Sequence, residues 1–250
     1  MNRAPAAATA RGIPPAHDRI NLWHGSLEQT GWADLLHLLS DEEQRRAERF
    51  VFERDARRFV VSHAALRTLL GRATGIPANE LAFRAEPGLK PVLKANSREP
   101  IHFSLSRSEE LVVIGLASRP LGVDVEWLPK ALDIEALGDF VLSRRERECL
   151  QRLKPADWKE AFLQCWTQKE AYLKAIGQGL HVPPATIEVW FGPGEAAGLK
   201  SIAGDSCAAA RWFVDTVAPR EGYIGAVAIF GGRRRVVVTP FDTSSLVVRA

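Results

Sequence analysis

The chain has 250 residues, 46% of them hydrophobic and 25% charged, with a net charge of +3. That is ordinary globular composition, enough to bury one large core or two small ones without disulfide or zinc staples. No apolar run reaches the roughly 18 residues of a membrane span, and the acids interleaved with the arginines argue against a nucleic-acid binder. The three cysteines, Cys149, Cys165 and Cys207, lack metal-site spacing, which points to free thiols and a cytoplasmic location.

In chain order, residues 1–18 are rich in Ala and Pro without a continuous apolar stretch, and are expected to be a disordered tail. Ser40-Asp41-Glu42-Glu43 is a capping box, with Ser at the N-cap and Glu three residues on. A long amphipathic helix is predicted over Arg54 to Leu70, stopping near Gly71. Strands are predicted over Leu81 to Phe83, Ile101 to Leu105 and Leu111 to Ala117. Ser118 to Leu121 is a turn-like link, and Gly122-Val123-Asp124-Val125-Glu126 is a further strand.

The pattern then repeats. Ser143 to Glu146 is the same capping box 103 residues later, followed by a helix over Lys159 to Ile176 that stops near Gly177. Gly71, Ile76-Pro77 and Leu81 to Phe83 align with Gly177, Val182-Pro183 and Ile187 to Val189 at a constant offset of 106. Strands are predicted at Ala209 to Thr216 and Tyr223 to Phe230. This reads as a duplication giving two lobes, 19–118 and 119–232. Residues 233–250 form a C-terminal extension that either adds a strand over Val236 to Thr239 or stays loose. The fold class is α/β (α+β), with helices packed on three-stranded antiparallel sheets in two lobes related by a pseudo-two-fold axis.

Two stretches carry chemistry. Strand alternation puts Asp124 and Glu126 on one face. In Trp166-Thr167-Gln168-Lys169-Glu170-Ala171-Tyr172-Leu173-Lys174, helical spacing puts Trp166, Glu170 and Lys174 on one stripe. Three carboxylates make an oxygen-only set suited to Mg²⁺, which keeps waters and binds substrate phosphates. The histidines are scattered and form no zinc pattern.

At these residues the chain resembles the 4′-phosphopantetheinyl transferases of the surfactin-synthetase-activating branch. Gly122 to Glu126 resembles the family's G-[VI]-D-[VI]-E, and Trp166 to Lys174 its W-x-x-K-E-[AS]-x-x-K. Phe103-Ser104-Leu105-Ser106-Arg107-Ser108 is similar to its F-N-[LI]-S-H-S. Gly88-Leu89-Lys90-Pro91-Val92-Leu93 is similar to its G-K-P-x-[LIF], with Leu89 added.

The resemblance implies transfer of the 4′-phosphopantetheine arm of coenzyme A to a serine of an apo acyl, polyketide or peptidyl carrier protein. It implies Mg²⁺ (or Mn²⁺), release of adenosine 3′,5′-bisphosphate and a cleft between two lobes. Asp124, Glu126 and Glu170 are the implied metal ligands, Glu170 a candidate base, and Lys174 a phosphate or leaving-group cation. Arg46, Arg84, Lys90, Ser106 and Arg107 are candidate CoA-phosphate contacts. Arg107 stands where relatives often carry histidine. Trp166 is read as a packing anchor and Lys169 as structural. Arg144, Arg145 and Arg147 could meet an acidic carrier. Both lobes lie in one chain, so a monomer is expected. The alternative is a non-catalytic CoA- or nucleotide-binding module.

Overall fold

The computed structural model describes residues 19–84, 88–94, 100–128 and 131–246. The expected tail over 1–18 lies outside them.

The first lobe opens with β1 (Arg19–Ser26) and a 3-10 turn, Trp32–Leu38, followed by α1 (Asp41–Ala47) and α2 (Glu53–Thr74). It continues with β2 (Ala82–Arg84), β3 (Val92–Lys94), β4 (His102–Ser108) and β5 (Leu111–Ala117). The second lobe runs β6 (Leu121–Trp127), α3 (Ile134–Val141), α4 (Arg144–Gln151), α5 (Trp158–Ile176), β7 (Ile187–Trp190) and β8 (Gly198–Ile202). It is completed by α6 (Ser206–Ala209), β9 (Trp212–Val217) and β10 (Tyr223–Phe230), after which β11 (Arg235–Pro240) follows.

Two main sheets form, in the orders β11-β1-β5-β4 and β6-β10-β9. Alternation decides their layering. Leu121, Val123 and Val125 of β6 pack with Val227 and Ile229 of β10 against Ile20, Leu22, Leu111 and Val113 of the first sheet. The opposite face of the first sheet, including Val112, Ile114 and Leu116, packs on α2. Ala226 and Ala228 pack on α5. The layers are therefore helix, sheet, sheet, helix, with the two sheets back to back.

Several expected elements shift. The segments over 81–83 and 187–189 do not join the main sheets. They form separate hairpins, β2-β3 and β7-β8, and their places are taken by β1 and β6. The first sheet has four strands rather than three, because β11 returns across the molecule and pairs in parallel with β1. The strand expected from Ala209 begins at Trp212, since Asp205 caps the short helix α6 before it.

The first long helix passes Gly71 and stops at Gly75, which has φ 77°. Its counterpart is Gly177 at φ 74°, an offset of 102 from Gly75. Gly71 is there for close approach: a Cβ would lie 2.9 Å from the Ile76 carbonyl oxygen. The offset grows to 106 afterwards because Gln178 to His181 lengthen the second turn by four residues.

The duplication is repeated in the buried polar contacts. In the first lobe, Arg67 donates to capping-box Glu43 at 2.5 Å and to the carbonyls of Ala78 and Leu81. In the second, Lys169 donates to capping-box Glu146 at 2.5 Å and to the carbonyls of Val141 and Pro184. Each buried cation ties the long helix to the short capped helix and to the segment that follows.

Gly122 sets the spacing of β6 and α5. A Cβ there would stand 1.9 Å from the Ala171 carbonyl oxygen. Gly122→Ala is expected to cost roughly 3 kcal/mol, because backbone rather than a side chain must give way. Thermal unfolding reads this directly, and a melting temperature equal to the parent's would contradict the close contact.

Candidate functional site

The close approach at Gly122 brings the acids of β6 against the Glu170–Lys174 stripe of α5. Asp124 is buried. Its Oδ1 accepts from Lys174 Nζ at 2.6 Å and from Ser106 Oγ at 2.8 Å. Lys174 Nζ also donates to Ser106 Oγ at 2.9 Å. Glu126 Oε2 accepts from Ser108 Oγ at 2.9 Å. Asp124, Glu126, Glu170, Lys174, Ser106 and Arg107 line one cavity of about 360 Å³ together with Trp166.

Burial pushes the Glu170 carboxyl up to about 7; Asp124 and Glu126 add to the rise, and Lys174 opposes it. A second cavity, of about 940 Å³, adjoins the first at Leu105 and Lys174; its walls include Arg46, His63, Lys90, Phe103 and Gly177.

The fit of a cation can be judged from the oxygens. Asp124 Oδ2 and Glu170 Oε1 are both buried and without a hydrogen-bond partner. Such groups are costly unless something charged or polar meets them. Carboxylate oxygens alone favour a hard divalent cation, so the residues fit one. Among the described residues no three His, Cys, Asp or Glu side chains are already drawn together as a ligand set.

The profile of the 4′-phosphopantetheinyl transferase superfamily matches residues 120–228, and that of the 4′-phosphopantetheinyl transferase N-terminal region matches 21–120. The chain is 33% identical over 218 residues to the 4′-phosphopantetheinyl transferase HetI of a Nostoc species, covering 86% of this chain and 89% of that one.

The chain belongs to the 4′-phosphopantetheinyl transferase superfamily.

It is also 32% identical over 145 residues to the 4′-phosphopantetheinyl transferase gsp of Aneurinibacillus migulanus, covering 58% of this chain and 59% of that one. The solved Thermotoga maritima holo-[acyl-carrier-protein] synthase superposes with a TM-score of 0.35 at 18% identity, over 46% of this chain and 64% of that one. Phosphopantetheinyl transferases take CoA as donor and apo carrier proteins as acceptors, in general with a divalent metal. Among the described residues no helix is long and apolar enough to cross a membrane.

In this transferase the sequence-predicted residues are placed unevenly. The three acids, Lys174, Ser106 and Arg107 share the smaller cavity, and Arg46 and Lys90 line the larger. Arg84 is exposed on β2 and lines neither. Lys169 points away, fully buried on Glu146. Arg144, Arg145 and Arg147 are each paired, with Glu148, Glu188 and Asp139.

Sequence reading missed His63. Its Nδ1 lies 2.9 Å from the Phe59 carbonyl oxygen, and its ring packs on Phe59. Burial, followed by smaller effects from Arg107 and Arg46, holds it down to about 4, although Glu43 opposes the shift. It is therefore neutral in the cleft. Arg107 reaches Ser62 Oγ at 3.2 Å, and enclosure first, then Arg46 and Arg58, lowers its guanidinium from the usual value. Crowded cations of this kind suit a polyanion. The only prior signal for His63 was its place on the amphipathic helix beside the arginine run.

Proposed function

We propose that this transferase moves the 4′-phosphopantetheine arm of CoA to a serine of an apo acyl, polyketide or peptidyl carrier protein, using Mg²⁺ or alternatively Mn²⁺, and releases adenosine 3′,5′-bisphosphate. The observation that carries the site assignment is the pair of unpartnered buried oxygens on Asp124 and Glu170, beside Lys174, where the two cavities meet.

The larger cavity suits the nucleotide end of CoA, with Arg46 and Lys90 on its walls facing phosphates and Arg107 facing them from the adjoining smaller cavity. Arg107 can fork onto two phosphate oxygens. Lys174 stands at the junction and faces the pyrophosphate. Ser106 lies between Lys174 and Asp124 and fixes both. Asp124 and Glu170, with Glu126 in the same cavity, would hold the divalent cation, which neutralises charge developing on the phosphoryl and leaving oxygens.

Glu170, in the cavity shared with Asp124 and Lys174, is the candidate base for the serine proton by position. Lys174 places its charge beside the departing bisphosphate. One chain supplies both walls of the cleft, lobes 19–118 and 119–232, so we propose a monomer. The free thiols fit a reducing, cytoplasmic setting.

Mass spectrometry of an apo carrier protein with this chain, CoA and Mg²⁺ tests the reading. A gain of one phosphopantetheine, blocked by EDTA and restored by Mg²⁺, is expected. An unmodified carrier across acyl, polyketide and peptidyl types would leave a CoA-binding module.

Lys90 makes a pH-dependent prediction. Its Nζ donates to the Leu121 carbonyl at 2.7 Å, while burial and then Lys174 pull it down to about 7. A CoA phosphate beside it would favour the charged form. Below pH ~7 Lys90 is already protonated, so binding takes up little there. Above pH ~7 binding must draw a proton, and affinity falls as pH rises, by up to about tenfold per unit. Calorimetry in buffers of different ionisation enthalpy measures the uptake. Uptake persisting unchanged in Lys90→Met would assign it elsewhere.

A further inference from the structure

Beside the core that joins the two main sheets, the lobes also meet along β4 and β6, edge strands that lie side by side without pairing as strands of one sheet. Serine side chains stitch this seam. Ser104, Ser106 and Ser108 occupy alternate positions and project from one face of β4, and all three are buried. Ser104 Oγ accepts from the Val123 N–H at 3.0 Å, and Ser108 Oγ accepts from the Trp127 N–H at 3.0 Å. Ser106 and Ser108 donate to Asp124 and Glu126.

A serine hydroxyl has one proton to give. At Ser108 the backbone contact fixes the oxygen, and the proton goes to Glu126 Oε2. Glutamate has one more rotatable bond than aspartate, so it needs more restraint to present its carboxylate reproducibly. Asp124 is held by Ser106 and Lys174 together. Ser108 supplies the corresponding restraint on Glu126, in the cavity shared with Asp124 and Glu170.

We infer that Ser108 is a positioning residue for the divalent cation: it sets the Glu126 carboxylate from across the lobe interface, so that metal affinity depends on how the lobes are joined. The inference rests on the proposed metal site. Ser108 touches neither substrate nor reacting atoms in this role. Partners that orient ligating carboxylates typically change metal affinity by 10–100-fold when removed.

The test is Mn²⁺ titration of the full chain with saturating CoA, followed by electron paramagnetic resonance. Parent protein that fails to bind Mn²⁺ would sink the metal site itself, independently of Ser108. Given parent binding, Ser108→Ala is expected to weaken Mn²⁺ about tenfold or more, while Ser108→Thr, which keeps the hydroxyl, stays within about threefold of the parent. Ser104→Ala removes a seam hydroxyl that touches no carboxylate and should leave Mn²⁺ affinity unchanged. In a Glu126→Gln background, Ser108→Ala should add nothing.

Equal weakening by Ser104→Ala would reduce Ser108 to a seam contact. Unchanged Mn²⁺ affinity in Ser108→Ala would also overturn the inference, as would a further loss in the Glu126→Gln background. Should Ser108→Ala fail to fold, Ser108→Cys decides in its place: the thiol is a weaker donor of similar shape, and parent-like Mn²⁺ affinity there would overturn the inference.

Discussion

Asp124→Asn is expected to lower kcat by about a thousandfold or more while leaving the protein folded. The side chain has two roles in the proposed site. Its unpartnered Oδ2 faces the cation position, and its Oδ1 holds Lys174 at 2.6 Å. Removing a single preorganised electrostatic contact to a transition state commonly costs 10²–10³ in kcat, and a catalytic metal contributes several kcal/mol. Asparagine has the same shape, so Ser106 can still donate to it. Lys174 is 28% exposed and finds water when its ion pair is lost. The fold should therefore persist. Glu170→Gln should fall similarly, since it removes both a ligand and the candidate base. Single-turnover transfer to an apo carrier, alongside circular dichroism, separates chemistry from folding. Transfer within tenfold of the parent in either variant would remove that residue from the chemistry.

Lys169→Met should instead act on stability. Lys169 is 0% exposed, and its ammonium makes three contacts, to Glu146 and to the Val141 and Pro184 carbonyls. Methionine keeps the volume but leaves the Glu146 carboxylate buried without its counter-ion. Breaking one side of such a pair typically costs 3–5 kcal/mol. In a chain of this size that corresponds to a fall in melting temperature of roughly 6–20 °C. Glu146 keeps the N–H groups of Ser143 and Val189, which limits the damage. Replacing both members, Lys169→Met with Glu146→Gln, should cost less than the sum of the two single changes. Arg67→Met in the first lobe should act in the same direction but by less, because its partner Glu43 is 18% exposed and reaches water. A variant with the parent's melting temperature but no activity would move Lys169 from the scaffold to the site.

Lys169 stands next to Glu170 in the most diagnostic stretch of the chain, yet helical geometry turns it about 100° away. One residue of the pair faces the cleft and the other the core of the second lobe. That local geometry marks Lys169 as structural. Its anchors, Glu146 and Pro184, are 23 and 15 positions away and could not be named from spacing.

The sequence by itself determined what depends on short-range periodicity. Two-residue alternation put Asp124 and Glu126 on one face, and the helical repeat aligned Glu170 with Lys174. Paired capping boxes at Ser40 and Ser143 marked the duplication, since a cap is a contact within one turn. Tertiary structure decided which of these faces meet. Gly122 has no side chain, and only the packed structure shows that this lets α5 close onto β6 and assemble the acids. Ser104 and Ser108 read as ordinary strand residues, and Ser106 as a phosphate contact, until β4 lies beside β6 and all three meet it. His63 became a cleft residue only when α2 was laid against β4. The tail after Phe230 was undecided because an edge strand is stabilised by its partner, and the partner of β11 is β1, at the other end of the chain. Such contacts join positions far apart in sequence, where local periodicity has no register to carry them.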